Sequence, residues 1–258
     1  MAVIDLPAWC STMKERETVT TNARKFHSKL DEAAEVNIDC LVVPTCLTNN
    51  SRISGLQLED NYVDRSLECS LVNSIDARDW IRERRGRVQN YGYLFNYNTG
   101  NIDNFSSIKP VPSFIQELGQ GLVDRGFFKS FPECVIINEY TPGQGIVPHI
   151  DVIEHFGPQV VTISLLADIN MVFIKNMERD VRFELPLPAR SLLLLDGEAR
   201  FDWMHGIRAR KTDNVDGQGV QRERRISISF RNIKRDFMGR IRDLSGICVR
   251  EPDLFEDP

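Results

Sequence analysis

The stretch Cys134-Val135-Ile136-Ile137-Asn138-Glu139-Tyr140, followed by Thr141-Pro142-Gly143-Gln144-Gly145-Ile146-Val147-Pro148-His149-Ile150-Asp151, organises the reading of this chain. Its first part is a β-rich run closed by a Pro-Gly turn signal, so it predicts a strand that ends near Thr141. Its last part carries a histidine and an aspartate two residues apart. In an extended segment such residues point the same way, so an imidazole and a carboxylate can converge on one cation. The remaining histidines are His27, His155 and His205. His205, in the apolar run Phe201-Asp202-Trp203-Met204-His205-Gly206-Ile207, is expected on another strand and is the candidate third ligand. Two histidines and one carboxylate suit a mononuclear Fe(II) centre with open coordination positions.

Arg225-Ile226-Ser227-Ile228-Ser229-Phe230-Arg231 alternates polar and apolar residues with period two. The two arginines are separated by about 20 Å of strand. They are therefore expected to serve different parts of one ligand, Arg225 a distant carboxylate and Arg231 a group nearer the metal. Small serines between them leave room for that ligand. Asn138 and Tyr140 share one face of their own strand by the same parity. Trp203, two residues before His205, reads equally as a pocket residue or as core.

From Cys134 onward short strands follow one another: Cys134 to Tyr140, Gln159 to Ala167, Met171 to Lys175, Val181 to Leu185, Ser191 to Asp196, Phe201 to Ile207 and Arg225 to Asn232. That spacing predicts a mainly β protein with flanking helices, built as a sandwich or barrel. Helical periodicity covers Val63 to Ile81 and Ser113 to Arg125, and Gly206 to Glu223 reads as a loop. Residues 1–53 are expected to be an extension, with a helix over Met13 to Glu35 and a β-like run over Ile38 to Val43. Residues 54–258 are expected to be the functional domain.

Taken together, His149-x-Asp151, His205, Arg225 and Arg231 resemble the signature of the AlkB family of Fe(II)- and 2-oxoglutarate-dependent dioxygenases, over roughly Ser54 to Lys234. Within it, Arg87-Val88-Gln89-Asn90-Tyr91-Gly92-Tyr93, Gly143 to His149, and Leu195-Asp196-Gly197-Glu198-Ala199-Arg200 are most similar to the AlkB homologue eight branch, the wobble-uridine hydroxylases of tRNA. The resemblance implies a double-stranded β-helix (jelly-roll) core. It makes His149, Asp151 and His205 metal ligands and catalytic residues. Asn138, Tyr140, Arg225 and Arg231 become contacts of 2-oxoglutarate, and O₂ the second co-substrate. Arg85, Arg87, Tyr91 and Tyr93 become part of a nucleotide-recognition lid, where the bare sequence would prefer an ordinary hairpin. The implied reaction hydroxylates or demethylates a modified nucleobase, with RNA, and tRNA in particular, favoured over DNA. An alkylation-repair demethylase on DNA or RNA, a protein-directed oxygenase and a non-catalytic binding module are the alternatives. Relatives in that branch carry an RNA-recognition domain before the module and a methyltransferase after it. A chain of 258 residues is expected to hold neither, leaving a separate methyltransferase partner.

Composition sets outer bounds. Hydrophobic residues make up 41% and charged residues 27%, which suits a packed core. No apolar run approaches the ~20 residues of a membrane span, so no membrane partner is expected. Met1-Ala2-Val3-Ile4-Asp5-Leu6-Pro7 lacks the pattern of a secretion signal, and an intracellular address, cytoplasmic or nuclear, is the expectation. The six cysteines include no Cys-x-x-Cys pair, which argues against a disulfide framework or a closed zinc site. The net charge of −5 argues against sequence-blind binding of nucleic acid over the whole surface, so local basic clusters must serve. Arg82, Arg84, Arg85 and Arg87 form one; Arg208, Arg210 and Lys211 form another; Arg222, Arg224, Lys234, Arg235, Arg240 and Arg242 add to them.

Overall fold

The computed structural model describes residues 48–49, 53–83, 86–93, 95–96, 101–102, 110–215 and 217–234, all within the unit Pro44–Pro258. The helix expected over Met13 to Glu35 and the run Ile38 to Val43 lie outside them, as do His27, Arg84, Arg85, Arg235, Arg240, Arg242, Cys10, Cys40, Cys46 and Cys248.

The first strands are β1 (Thr48–Asn49), β2 (Leu56–Glu59), β3 (Ile81–Glu83), β4 (Gly86–Gly92), β5 (Phe95–Asn96) and β6 (Asn101–Ile102). They are followed by β7 (Cys134–Tyr140), β8 (Ile146–His149), β9 (Phe156–Leu165), β10 (Ile169–Lys175) and β11 (Arg182–Leu187). The last are β12 (Leu192–Leu195), β13 (Trp203–Ile207), β14 (Thr212–Val215), β15 (Gln218–Gln221) and β16 (Arg225–Ile233). The helices are α1 (Arg65–Asp76), α2 (Ser113–Asp124) and α3 (Gly197–Phe201).

Among the described residues an eight-stranded sheet runs β1-β2-β12-β9-β16-β7-β4-β3, facing a four-stranded sheet β11-β10-β13-β8. Every pairing in both sheets is antiparallel. This is the expected jelly-roll core. β1 pairs with β2, so the large sheet begins a few residues before position 54.

The large sheet is apolar on both faces, for different reasons. On its outer face Val135, Ile137, Val161, Ile163, Ile226, Ile228 and Phe230 pack against Leu71 and Ile75 of α1 and Ile115, Leu118 and Leu122 of α2. Full burial of each such side chain is worth about 1.5–3 kcal/mol. On the inner face Val160, Leu193, Leu195 and Tyr140 meet Met171, Phe173, Trp203 and Ile207 of the small sheet. Trp203 is thus a core residue, packed edge-on to Phe183 with its Nε1 donating to Glu198.

Helix α1 is shorter than its periodicity predicts. Asp64 caps it by accepting from the Leu67 N–H at 2.7 Å, and it ends at Asp76. Beyond it Ile81–Glu83 pairs with β4, a ladder that outweighs helical spacing. Phe201, expected in a strand, instead closes α3, which Asp196 starts by accepting from the Gly197 N–H. The expected loop from Gly206 to Glu223 contains the β14–β15 hairpin, whose register leaves a two-residue turn. The sequence there is Asp-Gly, and Gly217 takes φ +83°, as such turns require.

A buried ion cluster fastens that hairpin. Arg222 holds both oxygens of Asp213, at 2.7 and 2.9 Å, and the Asn170 N–H also donates to Asp213. Arg210 bridges Asp213 and Glu184. Arg222 further donates to the carbonyls of Arg208 and Gln144, joining the exit of β13 to the entry of β8.

Burial works to raise the Asp213 pKa, and the bonds from Arg222 and Arg210 outweigh it and hold it below the ordinary carboxylate value. The unfolded chain therefore takes the proton more readily. The stabilisation is complete above the unfolded carboxylate pKa of about 4 and is lost as pH falls through the lower folded value. Asp213→Asn is expected to lower stability at pH 7 by about 3 kcal/mol in urea unfolding, because Arg222 is left buried without its charge partner. The gap between variant and wild type should close as the pH is taken below about 4; a gap constant with pH would contradict the assignment.

Candidate metal centre

His149 ends β8 and His205 lies in β13, and the two are direct cross-strand partners. Opposed side chains on an antiparallel pair stand close together, and the two imidazoles lie 4.6 Å apart, centroid to centroid. Asp151 lies between them, Oδ1 3.8 Å from Nε2 of His149 and Oδ2 4.0 Å from Nε2 of His205. One ligand atom from each of the three lies within 4.8 Å of the others. The sequence expectation is met in space, and among the described residues this is the one group of such side chains.

The β8–β13 pairing has a particular construction. His205 opposes His149 and Ile207 opposes Ile146, so Gly206 faces the two residues Val147 and Pro148 across a bulge. A Cβ on Gly206 would lie 2.6 Å from Pro148 N and 2.8 Å from the Ile146 carbonyl oxygen. Only a residue without a side chain lets the strands approach this closely.

β8 stops at His149, so strand alternation alone does not place Asp151. Its carboxylate is held by Arg231, whose Nη2 lies 3.1 Å from Oδ1. Its backbone carbonyl accepts from Arg200 Nη1 at 2.8 Å. Burial works to raise the Asp151 pKa; Arg231 first, then His205, His149 and Arg200, overcome it and hold the carboxyl well below the usual range. His205 is pushed down to about 3, chiefly by burial and next by His149. An ionised carboxylate beside a neutral imidazole is the donor chemistry a divalent cation needs. Two further details fit. The His149 Nδ1 is bonded to the Val147 carbonyl at 2.9 Å, which turns Nε2 toward the site. Asp151 Oδ2 is buried with no hydrogen-bond partner.

The anion side is equally legible. Arg225 is 1% exposed, with Nη2 on the Ser164 hydroxyl at 2.8 Å and Nε and Nη1 buried without partners. Its guanidinium lies 5.5 Å from the Tyr140 ring centre, and Tyr140 hydrogen-bonds Ser227. Burial pushes Arg225 down to about 10, so it stays charged at neutral pH. These two buried donors suit an anionic acceptor such as a carboxylate. Asn138 pairs with Ser227 across the ladder, on the same inner face as Tyr140. Ser164 was not singled out by the sequence, because a serine within an apolar strand carries no signal of its own. Arg200 stood in a quoted motif without a role; its position five residues before His205 was its only hint.

Among the described residues of the expected lid, Arg87 and Tyr91 lie on the outer face of the large sheet. Arg87, Gln89 and Tyr91 oppose Glu139, Ile137 and Val135, which belong to the outer, helix-covered face. Arg87 is bonded to Glu139 and lies over the Trp80 ring, while Tyr91 is buried in the core with its hydroxyl on Gln89. Tyr93 is buried just past β4, and Arg85 lies outside the described residues. The basic clusters are also largely engaged from within: Arg208 and Arg210 by Glu184, Arg222 by Asp213, and Arg224 by Asp76 and Glu139. No helix among the described residues is long and apolar enough to cross a membrane.

A jelly roll with a His-Asp-His cluster at one end and a buried arginine opposite defines a class of metal-dependent oxygenases. The family model described as the 2OG-Fe(II) oxygenase superfamily matches residues 68–231, and the chain belongs to that superfamily, among its AlkB-like members. It is accordingly a 2-oxoglutarate-dependent dioxygenase that uses Fe(II). It is 30% identical over 230 residues to the alkylated DNA repair protein ALKBH8 homolog of Arabidopsis thaliana, covering 81% of this chain and 66% of the relative. It is 34% identical over 204 residues to the tRNA (carboxymethyluridine(34)-5-O)-methyltransferase alkbh8 of Xenopus tropicalis, covering 70% of this chain and 32% of the relative. The chain thus spans about a third of the latter's length. The solved structure of OsALKBH1 superposes with a TM-score of 0.57 at 14% identity, covering 72% of this chain and 100% of that one, a likeness of fold.

Gly206→Ala tests the geometry. The added methyl must push β8 away, costing about 1–3 kcal/mol as an overpacked contact and separating His149 from His205. The folded variant should bind Co(II) at least about tenfold more weakly, read from the visible absorption of the titrated protein. Wild-type affinity in a folded Gly206→Ala protein would contradict this account of the strand pairing.

Proposed function

We propose that the chain oxidises a carbon attached to a nucleobase in nucleic acid, RNA and tRNA in particular. His149, Asp151 and His205 hold the Fe(II), and Arg225, Arg231, Asn138 and Tyr140 hold 2-oxoglutarate. The observation that carries the cofactor assignment is the pairing of three convergent ligand atoms with two buried, unpartnered guanidinium donors on Arg225. The tRNA preference rests on the name of the Xenopus relative and on the motifs quoted above.

When bound, the iron and 2-oxoglutarate together activate O₂, the co-substrate's oxidative decarboxylation supplying the electrons that let one oxygen atom enter a C–H bond. The chain's own groups prepare for this. Asp151 presents a negative charge and His205 a neutral imidazole, the donor chemistry a divalent cation would take. Arg225 would take the far carboxylate of the co-substrate, and Arg231 keeps Asp151 ionised and aimed. The inward-facing, buried serines Ser227 and Ser229 keep the space between the two arginines small in side-chain bulk and polar. Where the oxidised carbon is an N-methyl group, the hydroxylated product releases formaldehyde; where it is a stable side-chain carbon, hydroxylation is the end. Either substrate must be single-stranded or have its base turned out of the stack.

The second reading, repair of alkylated DNA, is favoured by the name of the Arabidopsis relative. One experiment separates the two. The purified chain is incubated with Fe(II), 2-oxoglutarate and either total tRNA or methylated single-stranded DNA, followed by nucleoside mass spectrometry. An oxygenated or demethylated tRNA nucleoside supports the first reading and demethylated DNA the second. Succinate release with both nucleic acids unchanged would sink the nucleobase assignment. Asp151→Ala should abolish 2-oxoglutarate consumption. Arg225→Ala should raise the 2-oxoglutarate concentration for half-maximal rate by about tenfold or more, equivalent to about 1.4 kcal/mol.

A further inference from the structure

We infer that Arg200 is a positioning residue for the metal centre: its buried guanidinium ties together the two ends of the turn that carries Asp151 and anchors that turn to the segment that carries His205. The inference rests on the reading of His149, Asp151 and His205 as metal ligands.

Asp151 stands at the start of the connection between β8 and β9, and Gly157 is the second residue of β9. Arg200 reaches both ends, donating from Nη1 to the Asp151 carbonyl at 2.8 Å and from Nε to the Gly157 carbonyl at 3.3 Å. The turn between them is closed by its own bonds from the His155 and Phe156 N–H groups to the Val152 carbonyl. Without the guanidinium, the described contacts of Asp151 are those of its carboxylate, with Arg231 at 3.1 Å and with the two imidazoles at 3.8 and 4.0 Å, and none holds its backbone.

Arg200 is itself fixed. It lies in α3, whose Ala199 N–H bonds to the Ser54 carbonyl, and three residues later the chain enters β13. One short segment thus presents His205 and clamps Asp151. Arg200 is 2% exposed and bonds to two carbonyls and no carboxylate, and Asp151 supplies the attraction that favours its charge. Burying a cation this way is expensive unless nearby charge and hydrogen bonds compensate. A residue serving only as packing would fill the site more cheaply as methionine.

The fork matters as much as the charge. Arginine reaches two acceptors in a fixed planar geometry, whereas lysine offers one mobile point charge. Arg200→Lys should therefore hold one carbonyl and release the other, and Arg200→Met should release both.

The test uses the full chain, stripped of metal and titrated with Co(II). Outer-shell changes typically weaken metal binding about ten- to a hundredfold. Arg200→Lys is expected in that range, with a visible spectrum altered from wild type, and Arg200→Met is expected to be weaker still. Wild-type affinity and an unchanged spectrum in either folded variant would overturn the inference. Where neither variant folds, hydrogen exchange on the metal-free wild type decides: the Arg200 Nε proton should be protected by its bond to the Gly157 carbonyl, and exchange at the rate of a free guanidinium would overturn the inference. Failure of the wild type to bind Co(II), or undiminished binding by His149→Ala, would sink the metal-ligand reading instead, so the two failures are distinguishable.

Discussion

The site depends on one constraint: two backbones must approach closely enough for His149 and His205 to oppose each other across an antiparallel pair. Everything nearby serves that approach. Gly206 removes the side chain that would block it, and Arg222 ties the carbonyls flanking the two strands from the other side. With the imidazoles fixed, a single carboxylate placed between them completes a cation site. That carboxylate is the group strand geometry does not supply, because it lies past the end of β8.

The large sheet solves a related problem with β16. As a central strand it is buried on both faces, yet every second residue is polar. Its apolar face packs under the helices. Its polar face carries Arg225 near Ser164 and Tyr140, and Arg231 near Asp151. Five residues of extended chain lie between the two arginines, so each has its own neighbours: Ser164 and Tyr140 at one end of the strand, Asp151 at the other.

Much of this was legible in the sequence, and the failures share a cause. Period-two alternation located β7 and β16 to within a residue and gave the correct relative parity of Asn138, Tyr140, Arg225 and Arg231. Parity does not say which face is inside. Val88, Asn90 and Gly92 share the inner parity on β4, whereas Arg87 and Tyr91 fall on the helix side, Arg87 bonded to Glu139 and Tyr91 packed in the core. The basic clusters misled for a similar reason: counting arginines along the chain does not count the carboxylates that fold onto them. Glu184, Asp213, Glu139 and Asp76 answer most of the described ones. The β14–β15 hairpin was missed although its Asp-Gly turn is a recognised signal, because the polar strands around it offer no apolar alternation. Arg200 was invisible because a charged side chain in a short helix reads as solvated until tertiary burial is known.

The bulge opposite Gly206 also bears on hydrogen bonding. Inserting an extra residue into a strand ordinarily orphans an amide, but Pro148 has no N–H to orphan. One position dispenses with a side chain and its neighbour across the ladder dispenses with a donor. The two economies meet at one point of the ladder, since a methyl at 206 would stand 2.6 Å from the proline's ring nitrogen.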